Sequence, residues 1–361
     1  MLANKNLSYR DISTGLGRLI VVLVCMICLL VTGCDESRIL VIRGHTMGTT
    51  YSVKVIDEFP DKGNPGLNEA ALKAELDEEL AKINLLMSTY IQDSEISQFN
   101  SNKSGQWMEM SSETMDVVRF GMRLGELSNG AFDITVGPLV NLWGFGPDIQ
   151  SGTMPSAEAV ENARSRVGYQ SLEVEQYPGL RLRKHKDIYV DLSAIAKGYA
   201  VDRLSEILMG KELRNFLVEI GGELRSRGVN DQGHPWRIGI ENPAAGKENV
   251  LATVQLQDMA VATSGDYRNF FILDGKRFSH TINPGTGYPV SHQVASVTVL
   301  SRSAMEADGW ATTLNVLGEE KGMELAERFN LSAMFVVRHD SGFQHLLTPA
   351  FEKLLENQVS K

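Results

Sequence analysis

Between Thr49 and Met87 the hydrophobic period changes once, and that change restricts the architectures open to the chain. Tyr51, Val53 and Val55 alternate with Ser52 and Lys54, the pattern of a half-buried strand. Leu72, Leu76, Leu80, Ile83 and Met87 then recur every three or four residues, which puts them on one face of a helix. Further on, a helix is expected from about Glu113 to Leu127, started by Ser111 and Ser112 and ended by Asn129-Gly130. Ile188-Tyr189-Val190 reads as a short strand leading into a helix that begins near Ala194 or Ile195 and ends by Gly210. Phe216 to Ile220, Trp236 to Ile240, Val250 to Leu256, Ala295 to Leu300 and Ala333 to Val337 are β-rich, and the last two flank helical patterns at Ala304 to Leu317 and Glu319 to Phe329. There is no strict βαβ rhythm and no internal repeat. The expectation is an α+β fold of layered mixed sheets with packed helices, forming a single body.

That body follows a leader. Basic residues precede an apolar run from Leu19 to Val31, thirteen residues long, short of the roughly 20 that span a bilayer comfortably. The run ends in Leu30-Val31-Thr32-Gly33-Cys34, which resembles a bacterial lipoprotein signal cleaved before a cysteine that becomes lipid-modified. Residues 1–33 are therefore expected to be a signal peptide and 34–361 the functional domain; an uncleaved anchor helix is the alternative. Both place the body outside the cytoplasm. Asp35 after the cysteine resembles the signal that retains lipoproteins at the inner membrane, facing the periplasm.

Cys25 and Cys28 lie within the leader, so the mature chain keeps only Cys34 and has no intrachain disulfide, cysteine metal site or cysteine nucleophile in its body. The 45 acidic residues outnumber 35 basic ones, for a net charge of -10, and the leader is itself basic. An acidic body repels a phosphate backbone, which sets nucleic-acid binding aside and requires a local site for any anionic ligand.

Five segments carry residues suited to such a site. Gly44-His45-Thr46-Met47-Gly48-Thr49-Thr50-Tyr51 joins glycines, for close backbone approach, to hydroxyls; it reads as a nucleotide contact or as a turn opening a strand. Gly130-Ala131-Phe132-Asp133 and the aromatic, glycine-rich stretch through Gly146 suit a planar ring, or a plain core segment with a glycine-rich exit. Asp191-Leu192-Ser193-Ala194-Ile195-Ala196-Lys197-Gly198 sets a carboxylate, helix N-terminal amides and a lysine within two turns, a setting for phosphate. It lacks P-loop spacing, and Asp191 reads equally as a helix cap. Ser279-His280-Thr281-Ile282-Asn283-Pro284-Gly285 is a rigid turn that fixes His280, as a general base or as a structural histidine. In Ala304 to Thr313, Asp308 and Thr312 share a helix face and, with a nearby carbonyl, offer hard oxygens to Mg²⁺; alone the pair also reads as an acidic start to a helix.

Taken in this order, the five segments resemble the ApbE family of flavin transferases, over about Ile39 to Phe351. The resemblance implies a T-fold-like body that moves FMN from FAD to a threonine hydroxyl of an acceptor protein and releases AMP. It implies FAD contacts from Met47, Tyr90, Ala131, Phe132, Asp133, Asp191, Lys197 and Ile282. It implies magnesium held by the side chains of Asp308 and Thr312 and the carbonyl of Ala194. The acceptors it implies are flavin-bearing subunits of Rnf or Na⁺-translocating NADH:quinone oxidoreductase complexes. His280 is the candidate base. FAD hydrolysis to FMN and AMP, or retention of flavin without chemistry, are the competing functions; a divalent ion beside the phosphates favours chemistry over simple binding.

Cys34→Ser is expected to move the protein from the membrane pellet to the soluble fraction; a variant that still sediments with membranes excludes the lipid anchor.

Overall fold

The computed structural model describes residues 38–57, 68–147, 154–243, 250–267, 269–273, 275–340 and 342–359. The leader, Cys34, Asp35 and the boundary at residue 33 lie outside the described residues. The N-terminal part comprises β1 (Arg38–Thr46), β2 (Thr49–Asp57), α1 (Glu69–Met87), α2 (Glu95–Ser101), β3 (Met108–Glu109), α3 (Ser112–Leu127), α4 (Gly137–Leu142), α5 (Ala157–Ser165), β4 (Leu172–Glu175), β5 (Arg181–Lys184) and α6 (Ser193–Gly210). Then come β6 (Phe216–Ile220), β7 (Glu223–Arg227), β8 (Trp236–Glu241), β9 (Val250–Leu256), β10 (Ala260–Gly265), β11 (Phe270–Leu273), β12 (Lys276–Ser279), β13 (Val294–Ser301), α7 (Ala304–Arg328), β14 (Ser332–His339), β15 (Gly342–Leu347) and α8 (Pro349–Val359).

Eight strands form the central sheet in the order β1-β2-β6-β7-β10-β13-β14-β15, and their ladders are antiparallel. Alternation along the strands divides the apolar side chains between two cores. Val53, Val55, Phe216, Val218, Val297, Val299 and Phe335 join the apolar faces of α1, α3, α6 and α7. Leu217, Val261, Leu300, Met334 and Val336 face the other way, onto Trp236 of β8, Val254 of β9 and Phe351 of α8. The sheet is thus a middle layer. The long helices cover one face, and the β8–β9 hairpin with α8 covers the other.

The helices form where the periodicity places them. Leu72, Leu76, Leu80, Ile83 and Met87 are the buried residues of α1, and Asn68 caps it by accepting from the Ala71 amide at 3.1 Å. Ser111 caps α3. The two patterns after Ala304 are one element bent at Gly318, whose φ of 77° and ψ of -167° only glycine adopts readily, and a Cβ there would meet the His292 ring at 2.9 Å.

One expected strand does not form. Ile188-Tyr189-Val190 makes a single parallel bridge, from Tyr189 to Val136. The side chain of Asn100 takes the place of a neighbouring strand there, accepting from the Val190 amide at 2.7 Å and donating to its carbonyl at 2.8 Å.

Helices α6 and α7 meet backbone to backbone. A Cβ on Gly198 would collide with the Ala304 carbonyl oxygen and lie 2.7 Å from its carbon. One turn on, the buried Asp202 carboxylate accepts from the Ser303 hydroxyl at 2.7 Å and from the Ala304 and Met305 amides at 3.0 Å each. Asp202 also pairs with Arg225 at 2.6 Å. A side chain of α6 thereby satisfies the open amides at the start of α7.

Gly198→Ala is expected to lower the unfolding free energy by about 2 kcal/mol in chemical denaturation, since overpacking against backbone costs about 1–3 kcal/mol. Helix propensity acting alone would raise it by about 1 kcal/mol, so a stabilised variant would refute the tight crossing.

Candidate active site

The end of the sheet nearest the start of α6 opens into a cavity of about 860 Å³, a size typical of cofactor sites. Met47, Tyr90, Ala131, Phe132, Asp133, Asp191, Ala194, Lys197, His280, Ile282, Asp308 and Thr312 all line it. Segments separated by up to most of the chain are therefore brought to one wall. Strands β8 and β9 and helix α8 contribute nothing to it.

Met47 belongs to a two-residue turn between β1 and β2, so Gly44 to Thr46 lie in a strand of their own rather than ahead of one. Met47 has φ 48° and Gly48 φ 71°, the positive pair of a type I′ hairpin turn. That geometry is costly for methionine, and it fixes the residue at the cavity wall. Tyr90 stands at the mouth, 66% exposed, with its hydroxyl donating to the Phe145 carbonyl at 3.2 Å.

Asp133 lines the cavity, yet both its oxygens are engaged by protein donors, one within its own loop and one at Tyr169. One accepts from the Thr135 amide at 2.8 Å and hydroxyl at 2.6 Å, the other from the Tyr169 amide at 3.0 Å. Burial pushes this carboxyl up, and those hydrogen bonds pull against it. Its side chain therefore shapes the loop that presents Ala131 and Phe132. Asp191 accepts from the Ser193 amide at 2.9 Å, while the residue at the cap position of α6 is Leu192. Asp191 is thus not the cap of α6; it engages one amide at the start of the helix and lines the cavity.

His280 is held by Asn269, whose carbonyl lies 3.0 Å from Nδ1 and also accepts from the His280 amide at 3.1 Å. A carbonyl can only accept, so Nδ1 carries the proton and Nε2 keeps its lone pair. Burial draws the imidazole below its usual range, with the Asn269 carbonyl opposing and Lys197 reinforcing. The shift favours the neutral ring. The turn beyond it is closed by hydrogen bonds: the Asn283 side chain accepts from the Gly285 and Thr286 amides at 2.9 and 3.1 Å.

The charged centre lies where α6 meets α7. Lys197 Nζ is 3.7 Å from Asp308 Oδ2 and 3.1 Å from Glu223 Oε1. Asp308 Oδ2 also accepts from the Gly198 amide at 3.1 Å. Burial draws the lysine down, but Asp308 and Glu223 outweigh it and hold the ammonium above its usual range. Burial drives the Asp308 carboxyl up; Lys197 opposes this and Glu223 adds to it.

Sequence reading missed Glu223. Its signal was the Gly221-Gly222 pair closing the β6–β7 hairpin, with φ of 62° and 108°, just before an acid that the turn delivers to the wall. Thr263, Ser264, Tyr267 and Asn269 also line the cavity without having been singled out.

The oxygens of Asp308, Thr312 and Ala194 form a hard donor set that suits magnesium. In a regular helix the Ala194 carbonyl would receive the Gly198 amide, a donor that Asp308 also engages here. Among the described residues there is no cluster of three or more His, Cys, Asp or Glu side chains placed to hold a metal. An ion at this point would rest on one carboxylate, with substrate phosphates completing its shell.

The fold and this cavity agree with comparisons to known proteins. A family model described as the ApbE family matches residues 47–335, and the chain belongs to that family. It is 44% identical over 330 residues to the FAD:protein FMN transferase of Vibrio cholerae, covering 91% of this chain and 96% of the relative. The structure of the flavin transferase ApbE from Vibrio cholerae superposes with a TM-score of 0.80 at 43% identity, covering 88% of this chain and 99% of that one. The apo flavinyl transferase ApbE of Pseudomonas stutzeri gives a TM-score of 0.81 at 40% identity, covering 90% and 98%.

Proposed function

We propose that this protein is an FAD:protein FMN transferase, moving FMN from FAD to a threonine hydroxyl of an acceptor protein with release of AMP. The observation that carries the reading is the convergence of His280, Lys197, Asp308 and the flavin-contact candidates on one cavity, in a chain whose relatives bear that activity in their names. In the reaction the acceptor Oγ forms a bond to the FMN phosphorus, the bond from that phosphorus to the AMP oxygen breaks, and AMP leaves with the bonding pair. His280 Nε2 receives the hydroxyl proton, for which the neutral tautomer is required. Lys197 places a fixed positive charge beside the diphosphate. Magnesium bound through Asp308, Thr312 and the Ala194 carbonyl would supply electrostatic neutralisation of the diphosphate. Met47, Ala131, Phe132, Asp191 and Ile282 would seat the dinucleotide, and Tyr90 would cover it at the mouth.

The acceptors proposed are flavin-bearing subunits of Rnf or Na⁺-translocating NADH:quinone oxidoreductase type. The site proposed is the periplasmic face of the inner membrane, through a lipid on Cys34. Both rest on the resemblance of the motifs and of the leader. The acidic body, with a net charge of -10 for the chain, supports reading the anion site as local rather than as part of a general basic surface.

Incubating the protein with FAD, Mg²⁺ and such a subunit is expected to raise the subunit's mass by one FMN; free FMN with an unmodified subunit would establish hydrolysis instead. Asp308→Ala is expected to lower transfer about 10³-fold with an unchanged circular dichroism spectrum, and full Mg²⁺-dependent activity in that variant would remove Asp308 from the site.

The acid limb of the wild-type rate profile is expected below pH 6.5, because burial lowers the His280 pKa and the rate falls only as the neutral imidazole is lost. His280→Asn is expected to flatten that limb and cut turnover about 10²–10⁴-fold while leaving FAD affinity nearly constant. A variant with the wild-type profile would exclude the histidine as base.

A further inference from the structure

The segment that leads into α6 is held by two polar side chains with no part in the chemistry set out above. The side-chain amide of Asn100, on α2, accepts from the Val190 amide at 2.7 Å and donates to the Val190 carbonyl at 2.8 Å. One side chain therefore engages both backbone groups of one residue. Asn100 is itself fixed from behind. Lys184, 1% exposed at the end of β5, donates from Nζ to the Asn100 carbonyl at 2.6 Å and to the Ile188 carbonyl at 3.3 Å. A buried ammonium is costly without acceptors, so it ties both carbonyls to one point.

What these side chains hold is the junction of two cavity-lining stretches. Asp191 follows Val190, and its amide donates to the Ile134 carbonyl at 2.7 Å, next in sequence to the Ala131-Phe132-Asp133 loop. Tyr189 bridges to Val136, and a Cβ on Gly137 would collide with the Tyr189 ring, so the two stretches run in close contact. The rest of the cavity is fixed by other means. The crossing of α6 and α7 at Gly198 and Ala304 sets Lys197 against Asp308, and the Asn269 carbonyl holds His280.

We infer that Asn100 is a positioning residue for the dinucleotide: by holding the backbone of Val190 it fixes where Asp191 stands against the Ala131–Asp133 loop, with Lys184 holding Asn100 in place. This rests on the reading of the cavity as an FAD site. The consequence is a division of labour, in which loss of the Asn100 side chain weakens the seat for FAD and spares the groups that act on the phosphorus and the hydroxyl proton.

A split between affinity and turnover separates this from a merely structural role. In Asn100→Ala the dissociation constant for FAD, followed by flavin fluorescence with Mg²⁺ present, is expected to rise about tenfold. AMP release with acceptor at saturating FAD is expected to stay within about threefold of wild type, with the same acid limb in its pH profile. Thr348→Val serves as the control for stability alone. Thr348 is 1% exposed outside the cavity, and its hydroxyl accepts from the Ala333 amide at 3.0 Å and donates to the Leu331 carbonyl at 2.7 Å. That variant is expected to lower Tm and to leave FAD affinity unchanged. Should Asn100→Ala fail to fold, Asn100→Asp keeps the acceptor for the Val190 amide, loses the donor to its carbonyl, and is expected to weaken FAD in the same direction. Wild-type FAD affinity in a folded Asn100 variant, equal weakening in Thr348→Val, or turnover that falls while affinity holds overturns the inference. A wild-type protein that binds no FAD would instead remove the proposed function itself.

Discussion

The structure turns on the contact between Gly198 and the Ala304 carbonyl, where α6 and α7 touch without an intervening side chain. The Lys197–Asp308 distance descends from it. Lys197 precedes Gly198 in sequence, and Asp308 lies one turn past Ala304, so the closeness of the two backbones sets the 3.7 Å between their charged atoms. Asp202 secures the crossing one turn further along by satisfying the first amides of α7. A larger residue at 198 would separate the ammonium from the carboxylate even if both helices survived.

Around that crossing the sheet supplies its turns. The Met47-Gly48 and Gly221-Gly222 hairpins lie side by side, and both hold positive φ angles at the cavity wall. Rigid turns and helix starts leave few rotatable parts in the site, which is the condition under which fixed charges act strongly on a phosphate in a dry setting. The same rigidity explains the hold on His280, whose backbone and ring both meet one carbonyl.

Much of this was legible in the sequence because it is local. The five apolar residues of α1, the Ser111 cap and the pair of patterns interrupted at Gly318 depend on neighbours a few positions away, and they match the structure. What was not legible depends on partners far along the chain. Ile188 to Val190 has the composition of a strand, but the partner that claims its backbone is the side chain of Asn100. Strand β10, Ala-Val-Ala-Thr-Ser-Gly, sits inside the sheet with small residues on both faces and so shows no alternation to read. Glu223 looks like ordinary turn chemistry until the hairpin brings it against a lysine from a helix. The motif residues reach one cavity from five separate segments, and no single spacing among them reaches across the fold.

The division of apolar side chains between two cores carries a further consequence. Because β8, β9 and α8 close the far face of the sheet and share no wall with the cavity, the molecule has a working side and a supporting side. Tags, fusions or a crosslink to a surface attached at the C-terminal helix would load only the supporting side, so the protein can be immobilised there with its chemistry facing outward.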